Sequence, residues 1–552
     1  MKGFLKFILR LLGTVLSAFI ASLAFPNPWS DVGFSPLAFI SLIPIFLIVR
    51  KSKWWDIWLQ GMVYGFTYYL IYNYWLKTFH PLAILIAPII ESVQYMLLFT
   101  ILKIPSSIRN KRAYIPETLL YVSYLFLTQK GFLGYPYGNM SAALWCYPRF
   151  IQSVDIFGIW GLCLLLSSSQ SFLAELILNR NNIRDYKVDL LAILSAFIIN
   201  TGYGVIRYSQ YENREPEYTM DIAAIQHSSD SWKGGYSQYK KNLETLEELT
   251  LEAMEEDPDM VVWSETAFVP SVAWHTNYPS NARTSDLVDN FVNFGKDLGI
   301  PLVTGNPEGV WDDRSLPPIL PNGEWNKKDY NTVIFFSDGE IEGTYRKQHL
   351  VPFTEHFPYQ DAMPRFTALL EANDYHWWEE GDEATVFEYG DLKFGTPICF
   401  EDIFGYLSAE FVRNGADLLI NLSNDSWSGS IPAEMQHMQL ALFRAIENRV
   451  PLLRSTNSGM TCLITPSGRY IDPLEPFTVD WNIYEVPIGL KRHDTFYTLF
   501  PDLFAYITMI AAALSIPLCI YLRKRDLRIE AEEKLFRKYE ELFASIDDRY
   551  EC

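Results

Sequence analysis

Long apolar runs dominate the first two hundred residues of the chain, and one further run follows near its end. A helix needs about 20 mostly apolar residues to cross roughly 30 Å of hydrocarbon. Eight runs fall in the usual range of lengths, and we predict a spanning helix in each. They cover residues 4–24, 33–50, 55–76, 81–103, 115–133, 154–178, 188–207 and 499–521.

Basic residues alternate between the loops that join these runs. Lys and Arg cluster before the first run and after the second, fourth, sixth and eighth, whereas loop 25–32 has neither and loop 77–80 has only Lys77. Because Lys and Arg favour cytoplasmic loops, both termini are predicted to be cytoplasmic, with residues 208–498 outside. The alternative, buried helices of a large soluble protein, would leave this alternation unexplained.

Between residues 208 and 498 the pattern changes to short apolar strands separated by helical stretches. Residues 235–256 place apolar side chains on one helical face, and Pro432 begins a second amphipathic helix. This alternation predicts an α/β domain with covered sheets. The predicted strands are Met220–Gln226, Met260–Ser264, Pro301–Gly305, Thr332–Phe336, Glu340–Tyr345, Leu392–Ile398, Leu418–Leu422, Pro451–Thr456 and Met460–Thr465.

The 552 residues are therefore predicted to form four segments. These are a membrane domain with seven spanning helices (1–207), an outer catalytic domain (208–498), an eighth spanning helix (499–521) and a charged cytoplasmic tail (522–552). The net charge of −20 argues against a nucleic-acid partner, because phosphate contacts need a basic surface. None of the six cysteines forms a CxxC pair, and we predict neither a metal nor a cofactor.

Three residues with complementary chemistry follow predicted strands of the outer domain: Glu265, Lys347 and Cys399. A neighbouring cation can depress the pKa of a thiol, and a carboxylate can accept the thiol proton. An ammonium group can stabilise the oxyanion of an acyl-transfer intermediate, a contribution whose loss typically costs about 3–4 kcal/mol. Taken singly, each residue is more often a solvated acid, a surface lysine or a core cysteine. It is their order along the chain that indicates a shared site.

The order Glu, Lys, Cys resembles the triad of the carbon–nitrogen hydrolase (nitrilase) superfamily. Together with the apolar runs, the chain through about residue 521 resembles the bacterial apolipoprotein N-acyltransferases. The segments that carry this resemblance are Val303–Gly305, Lys347–Glu355, Pro397–Asp402, Asn424–Trp427, His437–Gln439, Arg444–Glu447 and Arg454–Gly459.

This resemblance implies an αββα sandwich above a multi-pass α-helical membrane domain in the bacterial cytoplasmic (inner) membrane, with the catalytic domain on the periplasmic side. It implies that Cys399 attacks the sn-1 ester of a phospholipid donor, forms a thioester and releases lysophospholipid. The acceptor would be the N-terminal amine of a diacylglyceryl-cysteine in a lipoprotein. An alternative from the same superfamily is a membrane-tethered amidase that hydrolyses a small amide. A catalytically dead scaffold and a transporter have less support, since all three triad residues are present and intramembrane charges are few.

The resemblance also implies a role for each site residue. Glu265 is expected to be the general base and Lys347 the oxyanion stabiliser, while Glu355 orients Lys347 or shares a proton. Glu401 and Phe400 are expected to support the nucleophile.

The chain departs from the family pattern at three places. Phe400 stands where tyrosine is expected, Thr354 stands where glycine is usual, and Gln226–Ser228 replaces a Gln-Gly-Asn sequence. These departures concern the shape of the pocket and the choice of donor more than the reaction.

Residues 359–380 carry an apolar load that is unusual for a connecting segment. One interpretation is a helix packed on the sandwich. The other is a lid that dips toward the bilayer and admits a lipid chain to the thiol, since tryptophan favours the membrane interface. The candidate lipid-contacting residues are Met363, Phe366, Trp377 and Trp378.

Overall fold

The computed structural model describes residues 2–79, 83–108, 112–279, 281–371, 377–490 and 493–547. Within them, five helices are long and apolar enough to cross a membrane: Phe4–Ser22, Ala83–Ser106, Ile159–Leu178, Arg180–Glu212 and Leu503–Glu540. In four of these, 33% or less of the most apolar stretch is buried in the protein. Apolar surface left uncovered on this scale fits helices that face lipid.

The other three predicted spans contain shorter helices. Residues 55–76 hold a helix of 16 residues, and residues 115–133 hold one of 14. The span predicted at 33–50 is not one helix, because a 3-10 helix is followed by a separate helix of nine residues. Pro44 lies at the start of that second helix, and proline begins a helix more readily than it continues one. The division into seven spans and an eighth therefore stays a prediction.

The helices of this region are α1 (Lys2–Ser22), α2 (Ile43–Lys51), α3 (Ile57–Tyr72), α4 (Leu76–Phe79), α5 (Ala83–Ser106), α6 (Tyr114–Leu127), α7 (Val154–Phe157), α8 (Ile159–Leu178) and α9 (Lys187–Glu212). Short 3-10 helices cover Ser35–Phe39, Met140–Cys146 and Arg180–Tyr186.

The outer domain contains twelve strands in the described residues. They are β1 (Tyr218–Gln226), β2 (Met260–Val262), β3 (Leu302–Trp311), β4 (Lys327–Ser337), β5 (Glu340–Arg346), β6 (Val386–Tyr389), β7 (Leu392–Gly395), β8 (Leu418–Ser423), β9 (Leu452–Thr456), β10 (Cys462–Ile464), β11 (Tyr470–Ile471) and β12 (Asp480–Ile488).

The remaining helices are α10 (Gly235–Ala253), α11 (Val272–Asn277), α12 (Ala282–Asp297), α13 (Pro364–Glu371), α14 (Gly405–Arg413), α15 (Ile431–Asn448), α16 (Phe496–Leu499) and α17 (Leu503–Asp547). Helix α17 continues the last predicted span without a break through the described part of the tail. Residues 548–552 of the predicted tail lie outside the described residues.

These strands form two six-stranded sheets. The first has the order β12-β1-β2-β3-β4-β5 and the second the order β11-β10-β9-β8-β7-β6. In each sheet three consecutive strands run parallel, β1-β2-β3 in the first and β7-β8-β9 in the second, while the outer strands pair antiparallel. Parallel strands that end together place the loops after them at one edge of each sheet.

Alternation along the strands separates the layers of the outer domain. Ile222 and Val262 belong to the large core shared with Ile420 of the second sheet, whereas Ala223 and Val261 belong to a second core with helices α10 and α12. Side chains of period two point to opposite faces of a sheet. The two sheets therefore pack face to face with helices outside, as predicted for an αββα sandwich.

The strands predicted from sequence are all present, with shifted ends. The largest local difference is β3, which extends to Trp311 and pairs with β4 along its whole length. Strands β6 and β11 were not predicted, and β12 was also missed, although its Tyr484, Val486 and Ile488 are buried at alternate positions. Its partner β1 lies more than two hundred residues earlier, so the pairing has no local signal.

Candidate active site

Cys399 lies where the chain leaves the second sheet. It begins the 3-10 helix Cys399–Ile403 with a φ of +48°, a conformation that is uncommon for a residue other than glycine. The side-chain amide of Asn421 on β8 donates to the carbonyl groups of Pro397 and Cys399, at 3.1 and 3.2 Å. Strained backbone of this kind persists where the surroundings fix it, and it is concentrated at active sites.

Lys347 follows β5 and lies between two carboxylates. Its Nζ is 3.2 Å from Glu265 Oε1 and 2.9 Å from Glu355 Oε1, and its side chain is fully buried. A buried ammonium group is tolerated because carboxylates surround it. Glu355 is itself fixed, since its Oε2 accepts the Val351 backbone N–H at 2.7 Å. The structure therefore brings together the two glutamates and the lysine named from sequence.

Glu265 is held by two asparagines that the sequence patterns did not single out as site residues. The Asn331 side-chain amide donates to Glu265 Oε1 at 2.7 Å and to Glu355 Oε1 at 3.3 Å. The backbone N–H of Asn424 donates to Glu265 Oε2 at 2.9 Å. Asn331 lies inside strand β4, next to its apolar stretch. An amide residue at such a position is the feature of the sequence that could have indicated a site residue.

The charges around Cys399 oppose one another. Burial raises the pKa of the thiol well above its usual range, the Glu265 charge adds to this, and Lys347 acts in the other direction without reversing it. At the thiol, Lys347 therefore does not outweigh burial and the Glu265 charge. A thiol that is protonated at rest needs a base at the moment of attack.

Glu265 suits that task. The pKa of its carboxyl group is raised above the usual range. Burial is the main cause, Lys347 lowers the pKa in part, and the nearby Glu355 raises it again. Burial alone would lower the pKa of Lys347, but the two carboxylates outweigh burial and hold it well above its usual range. The lysine thus stays charged while Glu265 becomes a better proton acceptor than an ordinary glutamate.

Glu401 joins the loop of the lysine to the loop of the nucleophile. Its Oε1 accepts the backbone N–H groups of Gln348 and His349 at 2.7 and 3.0 Å, and its Oε2 accepts that of Ile398 at 2.7 Å. The hydroxyl group of Tyr345 also donates to it at 2.9 Å. Burial raises the pKa of Glu401 to about 7 in spite of these donors. Glu401 therefore holds the loop of Lys347 and the segment of Cys399 together.

Phe400 occupies the position next to the nucleophile with an apolar ring. It is buried and packs against Phe404 and the ring of His349, with ring centroids 5.1 and 5.9 Å apart. The ring closes one side of the site without offering a donor or an acceptor.

A second buried network lies beside the nucleophile. The imidazole of His437 on α15 lies between two acids, with Nε2 2.9 Å from Asp402 Oδ1 and Nδ1 3.2 Å from Asp425 Oδ1. Arg454 forms an ion pair with Asp402. Burial alone would lower the pKa of His437, but the two carboxylates raise it to about 9. The network joins α15 and β9 to the segment of Cys399, and its components were known from sequence only as family motifs.

Two family models match the chain. Residues 221–490 match the carbon-nitrogen hydrolase family, and residues 17–171 match the apolipoprotein N-acyltransferase N-terminal domain. Apolipoprotein N-acyltransferase 1 of Treponema denticola is 38% identical over 529 residues, which cover 93% of this chain and 96% of that protein. The chain belongs to the apolipoprotein N-acyltransferase family. Apolipoprotein N-acyltransferase 1 of Treponema pallidum is 34% identical and covers 86% of this chain and 89% of its own length.

A solved structure covers about half of the chain. An amidase of Nesterenkonia AN1 from the nitrilase superfamily is 15% identical and covers 52% of this chain and 94% of its own, with a TM-score of 0.36. A likeness at this level says nothing about the reaction. The acyltransferase relatives match along nearly the whole chain.

The predicted lid of this family member is partly buried. Met363 is 49% exposed, whereas Trp378 is 6% exposed and its backbone N–H donates to the carbonyl group of Glu355 at 2.9 Å. Phe366 and Trp377 are half-buried. Residues 372–376 of the segment lie outside the described residues. The packed and exposed interpretations therefore apply to different parts of this segment.

Proposed function

We propose that this protein transfers an acyl chain from a phospholipid to the N-terminal amine of a lipoprotein's diacylglyceryl-cysteine through a thioester on Cys399. The observation that carries the proposal is the buried, ion-paired group of Glu265, Lys347 and Glu355, whose lysine loop is joined to the Cys399 segment through Glu401, in a member of this family. The same group of residues could hydrolyse an amide, but the likeness to the acyltransferases extends through the apolar helices.

In the first half-reaction Glu265 accepts the thiol proton as the sulfur attacks the sn-1 ester carbonyl. Lys347 stabilises the oxyanion that forms, which is the largest single contribution in many acyl transfers. When the tetrahedral intermediate collapses, the carbon–oxygen bond to glycerol breaks and the glycerol oxygen takes the proton from Glu265. Lysophospholipid leaves, and the acyl group remains on Cys399.

In the second half-reaction the free amine of the lipoprotein attacks the thioester carbonyl. Glu265 accepts the amine proton and returns it to the departing sulfur, so the enzyme regains its resting thiol. The acyl group ends as an amide, and this product is more stable than the thioester. Two half-reactions that share one covalent intermediate give ping-pong kinetics.

Glu355 and Asn331 hold the Lys347 ammonium group in position while Glu265 gains and loses a proton. When Glu265 is protonated, Glu355 still neutralises the ammonium group at 2.9 Å. Asn331 donates to both carboxylates and so holds them together. This arrangement supports the role of Glu355 as the carboxylate that orients the lysine.

We place the catalytic domain on the periplasmic side of the bacterial cytoplasmic membrane, with both termini in the cytoplasm. The support is the alternation of basic loops. The exposed apolar faces of α1, α5, α9 and α17 add to it.

The lid proposal is now confined to the exposed part of the segment. Phe132 of the membrane domain lies against the start of this segment, with its ring centroid 6.1 Å from that of Tyr359 and 6.0 Å from that of Phe357 just before it. Met363 and Leu369 are 49% and 57% exposed beyond these contacts. We propose that these two side chains cover the acyl chain on its way to the thiol, since each buried CH₂ contributes about 0.8 kcal/mol.

Intact-mass spectrometry of the full-length protein tests the reaction. We expect incubation with phospholipid to add one acyl mass to Cys399 and to release lysophospholipid, and later addition of a diacylglyceryl peptide to remove the adduct. Cys399→Ala should form no adduct. Cys462→Ala is the matched control, because Cys462 is also buried in the outer domain. An adduct that persists in Cys399→Ala, or hydrolysis of a small amide without lysophospholipid release, would contradict the proposal.

A further inference from the structure

A cavity of about 350 Å³ lies away from Cys399, where α9 meets the segment before α16. Arginines, tyrosines and one exposed phenylalanine share its lining, and none of the triad residues contributes to it. The side chains that matter here are Arg207, Arg214, Tyr203, Tyr211, His493 and Phe496.

The cavity lies at the level where α9 leaves the hydrocarbon. Exposed apolar side chains run along α9 from Val188 to Ile206. At 1.5 Å per residue this stretch spans about 27 Å, close to the roughly 30 Å thickness of a hydrocarbon core. Arg207 follows directly, and Phe496 is 46% exposed on the opposite wall. The cavity therefore opens in the headgroup layer beside the catalytic domain.

The charges of the cavity leave a positive excess. The Asp155 carboxylate is already neutralised by the buried Arg449, at 2.7 Å, so that Arg207 at 3.1 Å is a second cation on one acid. Arg214 forms no ion pair with the described residues, and its guanidinium group lies 6.0 Å from the ring centroid of Tyr211. Asp494 also lines the cavity. Two arginines and two aspartates thus line the cavity, and the buried Arg449 outside the lining adds a third positive charge beside Asp155.

We propose that this cavity binds the phosphodiester headgroup of an anionic phospholipid in the leaflet next to the catalytic domain. Arg207 and Arg214 donate to the phosphate oxygens, since guanidinium groups match phosphate geometry. Tyr203 and Tyr211 line the same opening, and tyrosine is enriched at membrane interfaces. Phe496 contacts the glycerol end of the chains. This lipid is separate from the acyl donor, and the proposal does not depend on acyl transfer.

The position of the cavity gives the bound lipid a structural role. The Thr495 hydroxyl group donates to the Glu447 carbonyl oxygen of α15 at 2.6 Å, and Phe496 follows it in the wall. A lipid held here joins α9 to the connection between the catalytic domain and α17. We therefore expect it to raise the melting temperature of the full-length protein.

Native mass spectrometry of the full-length protein in uncharged detergent tests the site. Phosphatidylglycerol and phosphatidylcholine with identical chains are compared in a Cys399→Ala background, where no turnover occurs. We expect phosphatidylglycerol to bind more tightly and Arg214→Gln to weaken its binding about fivefold, the typical effect of one basic residue at an anionic membrane surface. Arg214→Lys should keep most of the binding. Arg314→Gln is the matched control, since Arg314 lies over Trp311 on the exposed surface.

Three results would overturn the site. They are equal binding of the two lipids, equal losses in Arg214→Gln and Arg314→Gln, or displacement of the lipid by inorganic phosphate at the same concentration, which would indicate a free-anion site. If Arg214→Gln lowers the melting temperature of the lipid-free protein, His493→Gln is used as the test variant instead, because His493 is exposed at the rim of the cavity. Unchanged phosphatidylglycerol binding by His493→Gln would then count against the proposal.

Discussion

Replacing Lys347 with methionine removes one positive charge from between two buried carboxylates. The Nζ atom lies 3.2 Å from Glu265 and 2.9 Å from Glu355, and the side chain is fully buried. Methionine keeps much of the length and apolar volume of lysine, so the change is mainly electrostatic. We expect Lys347→Met to lower both the stability of the outer domain and the rate of Cys399 acylation.

The two losses have separate physical origins. Removing one partner of a buried ion pair typically costs about 3–5 kcal/mol of stability. Without the lysine, which lowers the pKa of Glu265, burial raises the pKa of that carboxyl group further above its unfolded value. The stability deficit should therefore shrink as the pH falls toward the unfolded pKa of Glu265. Loss of the oxyanion stabiliser lowers the acylation rate about 10²- to 10³-fold.

A second substitution separates the two effects. Lys347→Met combined with Glu355→Gln leaves one carboxylate, Glu265, which still accepts N–H groups from Asn331 and Asn424. We expect this double variant to recover melting temperature relative to Lys347→Met but not to recover acylation. Both quantities are measured on protein in detergent, by thermal unfolding and by the rate of adduct formation.

Lys327→Met is the matched control. Lys327 also pairs with an acid in the same domain, Asp329 at 2.5 Å, but its side chain is 14% exposed and distant in sequence from the triad loops. It should lose little stability and no acylation rate. Normal acylation by Lys347→Met would refute the assigned role, and a double variant no more stable than Lys347→Met would refute the electrostatic account.

Three further predictions follow from the site. Glu265→Gln should form no thioester with phospholipid, because nothing then accepts the thiol proton, and normal acylation with failure only in transfer to the amine would assign the first proton elsewhere. The melting temperature should fall between pH 6.5 and 9, because the pKa of His437 is raised to about 9 in the folded protein. The charged imidazole stabilises the fold fully below its unfolded pKa of 6.5, and this stabilisation is lost as the pH rises through 9. The change is about 3 kcal/mol, and His437→Gln should flatten it. Met363→Ser with Leu369→Ser should slow acylation by phospholipid but spare a water-soluble thioester donor. The control Leu316→Ser, at a 46% exposed position, should affect neither, and equal loss with both donors would end the lid proposal.

The parts of the fold that were predictable are those with a local signal. Apolar strands bounded by turns located nine of the twelve described strands of the sandwich, and Glu265, Lys347 and Cys399 stood out because each follows such a strand. Strand β12 and Asn331 escaped because their roles depend on partners distant in sequence. The balance of effects on the thiol pKa could not be predicted for a different reason. The sequence near Cys399 shows a cation and acids, but only burial and position decide whether the thiol pKa is raised or lowered.

The loop after β8 shows why the membrane domain and the catalytic chemistry belong to one structure. Its Asn424 N–H group fixes the base Glu265 at 2.9 Å. Four residues later, the carbonyl group of Ser428 accepts the Thr78 hydroxyl group of the membrane domain at 2.6 Å. The Trp75 ring packs beside the same loop and donates its N–H group to Gln436 of α15 at 2.9 Å. A base held in part by a loop that rests on the membrane domain keeps its geometry only when that domain is in place. In the proposed reaction, the proton acceptor is thus positioned from the side on which the lipid substrate arrives.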